Sequence, residues 1–148
     1  MGFIKDLIFK KGKFKGKSVY DTDPYYARFY VEQEEDFVEY REAILVELDK
    51  KIKIYMEDSA PLVKMISQHI MMSNLTGNKR GIMFLHSIKS TIERGARIYP
   101  RGFNIISDIL ARGFNIKPHR RNSKKYKNIL AEVFQYRNIV IDNKNILS

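Results

Sequence analysis

The side chains best suited to chemistry in this sequence are cations with aromatic residues between them. Arg94, Arg97, Tyr99, Arg101, Phe103, Arg112, Phe114, Lys117, His119, Arg120, Arg121, Lys124, Lys125, Tyr126 and Lys127 all fall between positions 94 and 127. Arginine and lysine neutralise phosphates, and exposed aromatic rings stack on unpaired bases. A second run, Lys13, Lys15 and Lys17, is interleaved with Gly12, Phe14 and Gly16. The carboxylates and histidines present no comparable grouping. A metal-dependent nuclease needs carboxylates converging on one site. Asp21 and Asp23 sit in a predicted loop, and Glu47 and Asp49 precede Lys50 and Lys51 on a predicted helix. Helix caps and i,i+4 pairs account for acids so placed. His69, His86 and His119 lack ligand spacing, and cysteine is absent, which removes thiolate catalysis, disulfides and cysteine–zinc sites. Neither a phosphate-binding P-loop nor a Rossmann glycine pattern is present. The residues therefore predict no metal, no cofactor and no assignable catalytic group, and their balance is against an enzyme.

The charge distribution sharpens this reading. The chain has 148 residues with 27 Lys and Arg against 17 Asp and Glu, a net charge of +10. Residues 1–20 hold six basic and one acidic residue; residues 21–60 hold five basic and twelve acidic; residues 61–148 hold sixteen basic and four acidic. Within 79–127 thirteen basic residues face only Glu93 and Asp108. A long, strongly cationic stretch beside an acidic block is the electrostatic footprint of a protein with a polyanionic partner. Hydrophobic residues make up 44% of the chain, enough for a folded core. No apolar run approaches the roughly 18 residues that a membrane span requires.

The elements that must position these cations are helical. Phe3, Ile4, Leu7 and Ile8 recur at helical spacing and predict a short amphipathic helix. Residues 9–20, rich in Lys and Gly, predict a small β-hairpin. Asp23 then Pro24 reads as an N-cap followed by proline at the first helical position. Phe37, Tyr40, Ile44, Leu48, Ile52 and Tyr55 form one apolar stripe and predict a helix over 34–56. Ser59 and Pro61 predict a restart. Further helices are expected over 82–94, ended by Gly95, and over 104–112, ended by Gly113. A last one begins at the cap Ser123, and Ile139 to Ile141 reads as an edge strand or docked tail. The pentapeptide RGFNI occurs at 101–105 and again at 112–116. In the second copy Gly113 and Phe114 suit a Schellman cap, which leaves Arg112 unneeded by the cap. The expected fold is mainly α: five to six helices around one core with a small N-terminal β-hairpin. It forms a single domain, with residues 1–33 as N-terminal helix and lysine-rich hairpin and 34–148 as a helical body.

Residues 9–30, FKKGKFKGKSVYDTDPYYARFY, resemble a small module at the C-terminus of exodeoxyribonuclease X-like proteins and related phage proteins. Gly12-Lys13-Phe14-Lys15-Gly16-Lys17 is similar to its GK-aromatic-KGK segment, and Asp23-Pro24 with Tyr26 and Phe29 to its Asp-Pro helix. The connector is shorter here, and Phe29 stands where that module has Trp. The resemblance covers about 22 residues of the chain. It implies a role in nucleic-acid metabolism and brings no nuclease active site. Glu39-Tyr40-Arg41-Glu42 and Arg112-Gly113-Phe114-Asn115-Ile116-Lys117 look like two segments of phage pyrimidine-dimer glycosylases. That resemblance implies Gly2 as the Schiff-base amine and Glu42 as its acid/base partner. The start of the chain and its C-terminal segment depart from that family.

The expected function is non-sequence-specific nucleic-acid binding by a phage or viral accessory protein of DNA metabolism or packaging. The expected contact residues are Lys13, Lys15, Lys17, Arg94, Arg97, Arg101, Arg112, Lys117, Arg120, Arg121, Lys124, Lys125 and Lys127. The alternatives are a virion or assembly protein of the head or neck that touches packaged DNA, and a repair glycosylase or nuclease. The expected partner is nucleic acid, DNA before RNA, with an acidic protein or a second copy as the other candidates and no membrane span. The expected location is the cytoplasm, the host's for a viral protein, or the virion.

Overall fold

The computed structural model of the chain describes residues 8–9, 15–19, 22–33 and 37–141. Six helices follow one another: α1 (Pro24–Gln33), α2 (Arg41–Thr76), α3 (Ile82–Glu93), α4 (Pro100–Arg112), α5 (Lys124–Phe134) and α6 (Arg137–Val140). The mainly helical class expected from the sequence is what the chain adopts. Among the described residues there is no β-strand. At the start there is one isolated antiparallel bridge, Ile8 to Ser18, with the Phe9 N–H donating to the Lys17 carbonyl (3.0 Å) and the Gly16 N–H to the Phe9 carbonyl (2.9 Å). The rest of the expected hairpin, and the amphipathic helix before Ile8, lie outside the described residues.

The α1 start follows the sequence signal. The Tyr25 N–H donates to Asp23 Oδ1 at 3.0 Å, and Pro24 occupies a position whose N–H would have no helical acceptor anyway. Ala27 and Val31 of α1 are buried, one turn apart, and pack on α2.

The 36-residue α2 differs from expectation: one uninterrupted helix replaces two. It begins at Arg41 rather than at 34, because Phe37 to Tyr40 form a turn ahead of it, closed by the Tyr40 N–H donating to the Phe37 carbonyl (3.1 Å). Pro61 lies inside it, and Ser59 caps nothing; its Oγ donates back to the Met56 carbonyl at 3.4 Å. The physical reason is the phase of the buried face. Tyr55, Ser59, Leu62, Ile66, His69, Ile70 and Ser73 are all buried, at steps of one helical turn. Breaking the helix at Pro61 would take Leu62, Ile66 and Ile70 off that face. Glu57 and Pro61 are both exposed, so the carbonyl that proline leaves without its helical donor is on the water side.

The buried side chains gather in two clusters rather than one core, and α2 contributes to both. Phe9, Val19, Ala27, Val31, Phe37, Ile44 and Leu48 form the smaller. Tyr55, Leu62 and Ile66 join Leu85, Ile92, Phe103, Ile106, Val133 and Val140 in the larger. α3 ends at Gly95, as its sequence indicated: φ is +92°, and a Cβ there would sit 2.7 Å from Ile52 Cγ2. α4 begins at Pro100, four residues before the expected start, with Tyr99 extended ahead of it. The first RGFNI is therefore helical and the second is not. Ser123 caps α5 as expected, its Oγ accepting from the Tyr126 N–H at 3.2 Å. The 139–141 tail is neither a strand nor loose. It finishes α6 and docks on the 96–99 connection through the Ile98 N–H, which donates to the Val140 carbonyl (2.9 Å), and a parallel bridge from Ile98 to Ile141.

Candidate nucleic-acid interface

α4 and α5 pack side by side. Phe103 near the start of α4 lies against Phe134 at the end of α5 (5.7 Å between centroids). Asp108, further along α4, meets Arg121 and Tyr126 at the start of α5. The two helices are thus antiparallel, and the N-terminus of α5 stands beside the C-terminus of α4.

The loop between them is tied down. The His119 N–H donates to the Arg112 carbonyl (2.8 Å), and the Ser123 N–H to the Arg120 carbonyl (2.9 Å). From the end of α2, Thr76 Oγ1 donates to the Phe114 carbonyl at 2.6 Å and Asn78 Nδ2 to the Asn115 carbonyl at 2.9 Å. Gly113 has φ +83° as expected, but ψ is 173°, so the turn is not the left-handed cap that the sequence suggested. Extended in this way, the chain carries Phe114 away from α4, and its ring lies edge-on to His69 of α2 (6.2 Å between centroids). The imidazole of His119 fills the space in front of Gly113, 2.9 Å from where a Cβ would be.

The thirteen expected contact residues separate into distinct groups. Lys117, Arg120, Lys124, Lys125 and Lys127 are exposed around the α4–α5 turn; among the described residues none has an ion-pair partner. Arg121 lies in the same turn but is committed. Its Nε and Nη2 each lie 3.0 Å from an oxygen of Asp108, and the Tyr126 hydroxyl donates to that carboxylate at 2.6 Å. The Arg121 hydrogen bond is the main cause that holds the Asp108 carboxyl below the usual range, against desolvation. Arg97 is committed too. It lies 3.2 Å from Asp23 Oδ1, a carboxylate only 3% exposed, and its guanidinium stacks on the Tyr55 ring at 4.6 Å. The Tyr55 hydroxyl donates to the Ala96 carbonyl (2.7 Å), and burial raises its pKa. Sequence reasoning offered Arg97 and Arg121 as ligand contacts; their present partners are structural, Asp23 being 74 residues from Arg97.

Arg101 is exposed at the opposite end of α4, about 16 Å away at 1.5 Å per residue over residues 101 to 112, and Arg94 is exposed just after α3. Arg112 is half-buried, and its Nε is buried without a hydrogen-bond partner among the described residues. Lys15 is exposed and Lys17 half-buried beside the Ile8–Ser18 bridge; Lys13 lies outside the described residues. The aromatic residues divide similarly. Phe103 and Tyr126 belong to the interior, whereas Tyr99 is 66% exposed.

A groove of about 540 Å³ opens beside the free cations, between the last third of α2, the 113–119 loop and α5. Met65, Gln68, His69 and Met72 line it from α2, Phe114, Asn115 and His119 from the loop, and Lys125, Ile129 and Glu132 from α5. His69 is buried here, and desolvation pushes its pKa down. Sequence reasoning treated His69 and His119 as unrelated. Fifty positions separate them, and only the loop's attachment to Thr76 and Asn78 brings them to one groove.

The residues considered for catalysis do not converge. Asp23 is held by Arg97, Asp49 by Arg28 (2.7 Å), and Glu47 faces Lys50 (3.7 Å). Glu42 is exposed in the first turn of α2, and Gly2 and Asp21 lie outside the described residues. Among the described residues, no group of three His, Asp or Glu side chains could hold a metal ion, and no helix is long and apolar enough to cross a membrane. No protein-family model, curated protein or solved structure matches the chain.

Proposed function

We propose that the chain binds nucleic acid through its phosphate backbone, without reading base sequence, as an accessory factor in phage or viral DNA metabolism or packaging. One observation carries the reading. Lys117, Arg120, Lys124, Lys125 and Lys127 crowd one turn, exposed and without carboxylate partners among the described residues. Three of them stand in the first turn of α5, where the helix dipole disfavours cations and the first N–H groups have no helical acceptor. A phosphate gains from both the charges and those N–H groups. The lysine-rich segment around Lys13, Lys15 and Lys17 forms a second contact. The working location is the cytoplasm, the host's for a viral protein.

The test is a binding titration on single-stranded and duplex DNA and RNA across a salt series. The reading expects affinity to fall steeply with salt and to vary little with sequence. Salt-independent binding, or none, refutes it. A virion or assembly role is the second reading, favoured by the charge polarity: Glu39, Glu42, Glu47 and Asp49 lie toward the start of α2 and the free cations beside its end. That role expects a complex of fixed stoichiometry by mass photometry.

A further inference from the structure

The groove beside the free cations has the composition of a pocket rather than of a gap in packing. Its walls combine the Phe114 ring, the thioethers of Met65 and Met72, and the imidazole of His69. Amide and imidazole groups of Gln68, Asn115 and His119 stand among them. A purely apolar occupant, such as a lipid tail or a leucine side chain, would make no use of those polar groups. A flat heterocycle with donors and acceptors on its edge would satisfy them while burying its faces on ring and sulfur. The volume, about 540 Å³, lies in the range of about 300–1,000 Å³ for small-molecule sites. Lys125 lines the groove, and Lys124 and Arg120 adjoin it in the same turn. Cations so placed suit an occupant with negative charge just outside the pocket. Glu132, the one acid lining the groove, suits an exocyclic amino group and repels a phosphate placed deep inside.

We infer that this groove receives an unpaired nucleobase of a single-stranded nucleic acid whose phosphates lie on Arg120, Lys124 and Lys125. The inference rests on the backbone-binding function proposed above and adds strandedness to it. A duplex keeps its bases stacked and paired, so only an unpaired base reaches the pocket without an unstacking cost. Stacking on ring and sulfur is tolerant of sequence, since every base has a face to offer.

The test compares an oligodeoxycytidylate of about twelve nucleotides, within the span of single-strand sites, with a strand of equal length carrying abasic sugars. Both have the same phosphate charge. The natural strand is expected to bind about tenfold more tightly, the equivalent of one good stacking contact. Phe114→Leu removes the stacking ring, and Asn115→Leu narrows the groove from an exposed position. Each is expected to abolish the preference while the salt dependence of both strands stays unchanged. Circular dichroism and a thermal melt establish that each variant folds, and either one alone suffices. Equal affinity for the two strands overturns the groove assignment and leaves backbone binding standing, as does a preference that survives both variants. Polyglutamate competing as well as the oligonucleotide also overturns it and gives the groove to an acidic peptide. Failure of both strands to bind at low salt overturns backbone binding as well.

Discussion

Replacing Arg120, Lys124 and Lys125 by serine separates charge that serves the fold from charge that serves a ligand. All three are exposed, and none has a carboxylate partner among the described residues. Arg121, one position away, is 64% exposed but bound through two nitrogens to Asp108. It is therefore left in place. Each phosphate contact contributes about 0.9 to the log–log salt slope on duplex DNA and about 0.7 on a single strand. Three lost contacts flatten the slope by about 2.7 or about 2.1 respectively. Between roughly 50 and 200 mM salt, the parent then loses about 40-fold more affinity than the variant on duplex, or about 20-fold more on a single strand. Fluorescence anisotropy with a labelled oligonucleotide at five or six salt concentrations reads both slopes. Thermal stability holds or rises, because two of the removed cations sit in the first turn of α5. Arg121→Ser is the control: it loses stability with the Asp108 contact and leaves the slope nearly unchanged. An unaltered slope in the triple variant would falsify the assignment and move attention to Lys13, Lys15 and Lys17. An equal slope change in Arg121→Ser would mean that the Asp108 pair opens to bind phosphate.

Gly113→Val puts a branched side chain at φ +83° and against His119, so it should cost at least ~1 kcal/mol; a melt like the parent's would remove the constraint. Pro61→Ala restores a hydrogen bond inside α2 at an exposed site and should stabilise by roughly 2 kcal/mol after the gain in unfolded-state freedom is subtracted. No change in the urea midpoint would argue for two helices. His69 titrates lower folded than unfolded because it is buried, so the unfolded chain binds more protons as pH drops below about 6.5 and stability falls there. His69→Gln should flatten that part of the profile. Asp108 is also shifted down, which for an acid favours the charged form: its stabilisation is complete above the ordinary carboxylate pKa and is lost as pH falls through its lower folded value. Asp108→Asn should remove that acid limb, measured by urea titration at stepped pH.

Where a feature was decided by neighbours in the chain, it was legible from sequence. Asp23-Pro24, Ser123 and Gly95 end or begin helices because caps and left-handed turns are local chemistry. The misreadings came where burial overrode a local signal. Pro61 ordinarily stops a helix, yet the apolar face of α2 passes through it in phase. RGFNI folds in two ways because Pro100 precedes the first copy as a helix start, whereas the second follows a completed helix. The free cations were named from sequence, but nothing in it distinguished them from Arg97 and Arg121, whose partners are set by tertiary packing. The groove was hidden for the same reason, since its walls come from α2, the end of α4, the 113–119 loop and α5.

The length of α2 has a consequence for how copies would arrange on a strand. From Glu42 to Gln68 the helix spans about 39 Å, with exposed acids at one end and the groove and its cations at the other. A charge separation of that length is a permanent electric dipole, and a polyanion exerts a torque on it before any contact forms. On the proposed function, each arriving copy would be turned with the groove end inward and Glu39 and Glu42 outward. That outer end would be mixed in sign, because Phe9 and Val19 pack with Phe37, Ile44 and Leu48 and so place Lys15 beside these acids. A second strand would meet the lysine-rich segment at the outer end, so bound copies would bridge strands at low salt and release them as salt rises.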